Sequence, residues 1–561
     1  MKTGYIPMWM SVLFVAIILS VAAPFFGMSQ ESSLNTDQLS QVEDLSESLA
    51  NTLLDFSVAV RERDLKAVRS YFTDLVQTRE PLFKLPTHPE SIKWIKHGSV
   101  DQSTSQSKKR GVQEVVGDWA GLMNLFSVVE DSRFQVTNAK FRGEVRETIA
   151  DGEIKFFIVG RDLSGKRFWV KGTGNISAWQ NERPGWKISR MIFDHLETLK
   201  SEVDLFSEVS LPAGVSISLP AYGTPGNDDF VYHGAAAADI DTNGFIDIIA
   251  TGIDGNSVYL NQGDGKFERA GVELGLPPTP QATAPLLVDY DNDGDMDLFL
   301  SAVGDQMLFE NRLVPDGKLV FMDVSLQAGV ALPAMGFSAA AGDVNGDGWV
   351  DLYVTSYNQY GRIMPNSWHK ATNGTANLLF INQKDGSFKE SSRIWGVRDQ
   401  RWSYAAQFAD LNGDNRQDLY VVNDFGENAF YVNLGNRFED RAEASGVLDA
   451  GNGMGVSVGD YDNDGYLDLY VTNMSSTAGN RIVSRLFPEA RPEDNVLRKL
   501  AAGNSLYKGR PDGFFDNVTA EAGPFEAGWA WGGVFIDFDN DGWQDLYSPN
   551  GFISGKSMKD T

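Results

Sequence analysis

One nine-residue arrangement of oxygen-bearing side chains, Asp-x-[Asp/Asn]-x-[Asp/Asn]-[Gly/Asn]-x-x-Asp, occurs six times in this chain. The first copy holds Asp239, Asp241, Asn243 and Asp247, and the second Asp289, Asp291, Asp293 and Asp297. The third holds Asp343, Asn345, Asp347 and Asp351, and the fourth Asp410, Asn412, Asp414 and Asp418. The fifth holds Asp460, Asp462, Asp464 and Asp468, and the sixth Asp537, Asp539, Asp541 and Asp545. Such a set can bind a hard cation. Calcium takes six to eight oxygen ligands at roughly 2.3–2.6 Å. Side chains at positions 1, 3, 5 and 9 converge on one point when the loop curls tightly. Position 7 adds a backbone carbonyl, so its side chain is free to vary: Phe245, Asp295, Trp349, Arg416, Tyr466 and Trp543. Position 6 must turn sharply, which favours positive φ; it is Gly in five copies and Asn415 in the fourth. Oxygen donors without His or Cys favour calcium over zinc or copper. Magnesium fits less well, because it keeps several waters and demands octahedral geometry. These residues are therefore read as ligands of about six Ca²⁺.

The elements around each loop follow from its flanks. An EF-hand needs a bidentate Glu at position 12 and a helix on each side. Position 12 here is Ala250, Leu300, Val354, Val421, Val471 or Ser548. The residues after position 9 read IIA, LFL, LYV, LYV, LYV and LYS, which are strand sequences. Small or apolar residues precede each loop, so the loop joins two strands. A further strand ending in Asn, a Gly-containing turn and an F-x-x-x segment follow, as in the segments from Val258, Leu378 and Ala429. Four short strands per 40–50 residues is the pattern of a propeller blade.

These repeats resemble FG-GAP (VCBS-type) repeats, with the calcium loop between the first two strands of each blade, as in integrin α-subunit propellers. The segments Asn473–Ile482, Gly503–Tyr507, Gly528–Tyr547 and Asn550–Gly555 are similar to the cartilage acidic protein/ASPIC–UnbV family of exported repeat proteins. The resemblance covers residues 205–561 and implies calcium ligands at the Asp and Asn positions above. It implies no reaction. Members of that family continue into a C-terminal module, whereas this sequence stops at Thr561 after two strands of the last repeat. Leu205–Val215 reads like the final strand of a blade, placed to close the ring against the last repeat. One strand is then still unsupplied. The expected architecture is a mainly β, six- or seven-bladed propeller, incomplete at its C-terminus.

A smaller region precedes it. Apolar residues from Leu34 to Val76 recur at helical spacing. Residues 77–110 read as loop, and Arg133–Phe141, Lys155–Arg161, Arg167–Ala178 and Trp186–Phe193 as strands. Helices followed by a meander ending in Gly185–Phe193 resemble the SnoaL-like cone fold of the nuclear-transport-factor type. This implies a small α+β domain over residues 30–200. Residues 1–29 read as a signal peptide or an uncleaved anchor, since Met8–Met28 is almost wholly apolar and about long enough to span a bilayer. Either way, the rest of the chain is exported, to the cell surface, the periplasm or the extracellular space.

Composition narrows the function classes. The net charge of −28 repels nucleic acid, and no basic patch offsets it. Cysteine is absent, which excludes disulfides, thiolate metal sites and a cysteine nucleophile. Gly455–Gly459 matches the G-x-S-x-G elbow, but that elbow needs a helix after it, and a loop and a strand follow here. The carboxylate pairs lie inside the loops. With 21 carboxylates at ligand positions, six Ca²⁺ would bring −28 to −16. The expected function is a calcium-binding surface or extracellular module for a protein or glycan ligand, with no catalysis of its own. Membrane contact is expected only through an uncleaved N-terminal segment. The alternatives are a calcium-dependent hydrolase or lyase on the propeller, and small-molecule binding by the α+β domain. Two inserts, Ser356–Ala376 and Met474–Asn504, are placed to bind ligand or to pack over the propeller face.

Overall fold

A computed structural model describes residues 36–86, 90–103, 106–144, 147–180, 185–216, 234–252, 255–277, 282–358, 363–475, 496–523 and 527–550. The apolar segment Met8–Met28 lies outside them. Among the described residues, no helix is long and apolar enough to cross a membrane. The chain is mainly β, and its described residues group into two compact units, 36–207 and 208–550.

The first unit packs helices on a mixed sheet. Helix Thr36–Arg61 buries Leu49, Leu53, Phe56 and Val60. The helical pattern does not run on to Val76. The chain breaks at Arg63 (φ 58°), Asp64 caps a short helix at Leu65–Ser70, and Phe72–Thr78 is a strand. The stretch 77–110 is likewise not all loop. Ile95–Asp101 pairs along its whole length with Lys187–Ser201, and Lys108–Gly111 pairs with Phe72–Thr78. Most of the polar side chains in these two strands face outward, Arg110 excepted, so the usual apolar signal of a strand is missing. The four strands read from sequence sit within longer ones, Phe126–Glu144, Glu147–Asp162, Arg167–Gln180 and Lys187–Ser201, paired in consecutive antiparallel order. Helix Val112–Met123 completes the core, where Phe56 meets Trp119 and Phe134 edge-on at 5.1 Å in both cases.

The second unit is a series of antiparallel sheets. The first is Ala235–Ala238, Asp247–Ala250, Ser257–Asn261 and Phe267–Ala270. The next two are Ala282–Val288, Asp297–Asp305, Met307–Asn311, Phe321–Asp323 and Pro333–Gly342, Asp351–Ser356, Leu378–Asn382, Phe388–Glu390. Asp297–Asp305 also pairs with Pro333–Gly342, so these two form one larger sheet. The fourth is Ser403–Ala409, Asp418–Asn423, Ala429–Asn433 and Phe438–Asp440. The fifth is Gly453–Gly459, Asp468–Asn473, Ser505–Gly509 and Phe515–Asn517. Val534–Ile536 and Asp545–Tyr547 form a sixth, two-stranded among the described residues.

Each apolar core lies between neighbouring sheets rather than within one. Tyr420, Val422 and Phe430 of the fourth pack on Leu469, Val471 and Tyr507 of the fifth. The second strands are covered on both faces, which explains their continuous apolar runs: Asp351–Ser356, Asp418–Asn423 and Asp468–Asn473 are buried at every residue. A glycine closes each of the first four seams. Gly275 has φ 92°, and a Cβ there would lie 2.2 Å from the Phe321 carbonyl oxygen of the next sheet; Gly446 faces Phe515 in the same way.

Leu205–Val215 does not form a strand. Residues 210–213 make a helical turn ended by Gly214 at φ 82°. A Cβ on Gly214 would lie 3.0 Å from the Phe267 carbonyl oxygen, so this turn sits on the first sheet as the later turns sit on theirs.

Candidate metal centres

All six loops share one hydrogen-bonding scheme at positions 1 and 5, and five share it at position 9. The position-1 carboxylates of Asp239, Asp289, Asp343, Asp410, Asp460 and Asp537 each accept backbone N–H groups from positions 5 and 6 at 2.7–3.1 Å. The position-5 oxygens of Asn243, Asp293, Asp347, Asp414, Asp464 and Asp541 accept the position-7 N–H at 2.8–3.1 Å. The position-9 carboxylates of Asp247, Asp297, Asp351, Asp418 and Asp468 pin the loop to the sheet. One oxygen accepts the position-2 N–H, and the other accepts an N–H from the end of the third strand, all at 2.7–3.2 Å. Position 6 has φ between 63° and 99° in all six, with Asn415 at the low end.

In four loops these side chains converge. Carboxylate oxygens lie within 4.8 Å of one another for Asp239, Asp241 and Asp247, for Asp289, Asp291 and Asp297, and for Asp537, Asp539 and Asp545. In the fifth loop the convergent set is Asp460, Asp462 and Asp464, with Asp468 held at the sheet. The third and fourth loops carry Asn345 and Asn412 at position 3. Each accepts the position-5 N–H at 3.0 Å, while Asn412 Nδ2 donates to Asp418. Position 7 is exposed as Phe245, Tyr466 and Trp543, but Asp295 is buried and accepts the Val314 N–H.

The charge gathered here is only partly compensated, by Lys384 at Asp347, Arg416 at Asp414 and Lys508 at Asp462 and Asp464. Burial pushes the Asp297 carboxyl up to about 8, those of Asp351 and Asp418 to about 7, and that of Asp468 to about 6. Burial, then the neighbouring Asp293, pushes Asp291 to about 6. Oxygen-only donors around buried, repelling carboxylates fit a hard divalent cation. A pH dependence follows for metal-stripped protein. An unfolded aspartate titrates near 4, so between about pH 4 and 8 the folded state holds more protons than the unfolded state. Stability therefore falls as pH rises through that window. Urea midpoints of stripped protein should be lower at pH 8 than at pH 5, and saturating calcium should reverse that order.

Two sets of residues outside the ligand positions shape the loops. Position 4 also has positive φ, at Thr242, Asn292, Gly346, Gly413, Asn463 and Asn540. The prevalence of Asn and Gly there was the available signal. The second set is the Asn that ends the third strand. Asn311, Asn382 and Asn433 each donate Nδ2 to the position-2 carbonyl of the preceding loop, at Ile240, Tyr290 and Val344, at 2.8–3.1 Å. Replacing Asn433 by Ala leaves the buried carbonyl of Val344 without this donor. Equilibrium denaturation should show a loss of about 1–3 kcal/mol.

The other motifs have structural roles. Ser457 is buried in a first strand and accepts the Phe535 N–H at 3.1 Å, tying the fifth sheet to the sixth. The insert Ser356–Ala376 adds Tyr357 and Trp368 to a cluster with Trp402, Tyr404 and Phe425. Tyr357 donates to the buried Asp424, and His369 is half-buried, with its pKa lowered mainly by burial. Tyr360 and residues 476–495 of the second insert lie outside the described residues.

A family model described as FG-GAP-like repeat matches residues 239–300, 343–421 and 410–471. Cartilage acidic protein 1 of Homo sapiens is 23% identical over 414 residues, covering 60% of this chain and 58% of its own length. That of Mus musculus is 23% identical over 391 residues, covering 60% of each. The chain thus spans about 60% of the length of these curated relatives. A lectin from Agrocybe aegerita overlaps 79% of this chain and 92% of its own at 14% identity, with a TM-score of 0.28. The acidic-loop region carries FG-GAP-like repeats, and the chain is homologous to cartilage acidic protein 1 over about 60% of its length.

Proposed function

We propose that this protein is an exported, calcium-loaded β-propeller that binds a protein or glycan ligand, with no catalysis of its own. The observation that carries the reading is the shared loop scheme, which gathers oxygen donors at the strand connection of every sheet. The 24 residues at positions 1, 3, 5 and 9 are the ligands, from Asp239 to Asp545. FG-GAP-like repeats support a binding module, and the apolar Met8–Met28 segment supports export into a compartment rich in calcium. The sheets act as six blades. The turn ended by Gly214 supports a ring in which Leu205–Val215 borders the sixth blade, because it sits on the first sheet as the inter-blade turns sit on theirs. The preceding unit is a cone-type α+β domain over residues 30–200.

Metal analysis after equilibrium dialysis of the intact chain tests the reading. About six calcium ions per chain, retained against excess magnesium, is the expected result; none retained would sink it. Ligand screens on glycan and extracellular-protein arrays, run in calcium and in chelator, should then give binding only in calcium.

A second reading has one observation behind it. A cavity of about 360 Å³ lies beside helix Val112–Met123, lined by Pro81, Phe83, Leu85, Leu122 and Leu125, with Asp118 among its lining residues. Arg110 holds that carboxylate at 2.5 Å. A small, mainly apolar molecule with one donor group would suit it.

A further inference from the structure

The fifth loop differs from the others in what sits on its carboxylates. Lys508, on the third strand Ser505–Gly509, hydrogen-bonds through Nζ to Asp462 Oδ2 and lies 3.0 Å from Asp464 Oδ2. These are positions 3 and 5 of the loop. The other oxygen of Asp462 is buried without a hydrogen-bond partner. At the same strand register, one residue before the end of the third strand, the other sheets carry Leu260, Glu310, Ile381 and Val432. None of these is a cation. Arg416 and Lys384 approach the fourth and third loops, but each reaches the carboxylate of position 5 alone. Lys508 bridges two ligand positions.

An ammonium at hydrogen-bond distance from these oxygens occupies the space a divalent ion would take at roughly 2.3–2.6 Å from them. The two cations repel and cannot share the site. The lysine stem is flexible, and the side chain is 33% exposed, so the ammonium can swing into water when displaced. We propose that Lys508 is a built-in competitor for the metal at the fifth loop, so that this loop fills last and empties first as calcium falls. The inference rests on the calcium reading of the loops. It gives the array one site that senses calcium over a higher range, while the remaining sites stay loaded.

Calcium titration of the intact chain against a chromophoric chelator, wild type beside Lys508→Met, tests it. The weakest site should tighten by about tenfold or more in the variant, since affinity follows the charge of the ligand set, with the other sites and the ion count unchanged. Lys508→Gln, which keeps a polar side chain, should shift in the same direction and serves if the Met variant misfolds. Amine-reactive acylation read by mass spectrometry gives a second measure: labelling of Lys508 should rise as calcium saturates. Unchanged affinities in both variants, or loss of a site, would overturn the inference and leave the calcium reading standing. Absence of calcium binding in the wild type would remove both.

Discussion

Chelation should lower the melting temperature of the intact chain by more than about 10 °C relative to saturating calcium, and magnesium should restore little of it. The size follows from linkage. Calcium at a hundredfold over Kd stabilises by ~2.7 kcal/mol per independent site. One kcal/mol moves the midpoint of a large domain by roughly 2–4 °C. Three of the six loops acting independently would already give a shift of that size. The loops are not independent, because Asn311, Asn382 and Asn433 tie each to the one before. The transition in chelator should therefore be broader as well as earlier. Calorimetry of the intact chain in calcium, magnesium and chelator measures both. Equal midpoints in all three would return the acidic loops to the surface as ordinary solvated turns.

The second large effect separates the metal's role from the loop's own. Asp351→Ala should destabilise by about 2–6 kcal/mol in chelator as well as in calcium, because both carboxylate oxygens accept buried backbone N–H groups, from Val344 and Asn382, and each orphaned donor costs about 1–3 kcal/mol. Asp347→Ala in the same loop leaves one backbone N–H, that of Trp349, without its acceptor and removes the exposed ion pair with Lys384. Its cost should appear mainly in calcium and fall below about 1.5 kcal/mol in chelator. Urea denaturation of the two variants in both conditions gives the four numbers. Similar losses for both variants in chelator would mean that position 9 is no more structural than position 5.

The acidic loops were legible because cation chemistry leaves a fixed spacing in sequence, and the buried second strands were legible because each begins at the last aspartate of a loop. What was hidden depends on neighbours. Asn382 reads as an ordinary strand end until the sheet before it is in place and Tyr290 lies within reach. The strand Ile95–Asp101 exists because Lys187–Ser201 pairs with it, and its own outward polar residues carry no periodic signal. The end of the first helix turns on Arg63 at φ 58°, a conformation its residue type does not announce. Val112, Val115, Trp119 and Leu122, by contrast, recur at helical spacing, and that signal was open to reading. Leu205–Val215 shares the F-x-x-x-x-x-x-x-G pattern of the later strand-and-turn segments, but a fourth strand pairs with the third strand of its sheet, and the sixth sheet shows no third strand among the described residues.

The ties made by the asparagines that end third strands run one way, from the second, third and fourth sheets back to the loop before each, and the run stops there. The fifth sheet has Gly509 where Asn433 stands in the fourth, so no side chain reaches back to the Leu411 carbonyl of the fourth loop. Position-4 asparagines run the other way, Asn463 to the Gly542 carbonyl at 3.0 Å and Asn292 to the Gly348 carbonyl at 3.3 Å. The seam between the fourth and fifth sheets is held instead by the apolar core between the two sheets, by the Phe515 N–H donating to the Ser445 carbonyl at 2.9 Å and by Asn452 Nδ2 donating to the Asp424 carbonyl at 2.8 Å. A pulling force along the array would loosen the fourth loop before the three that an asparagine braces.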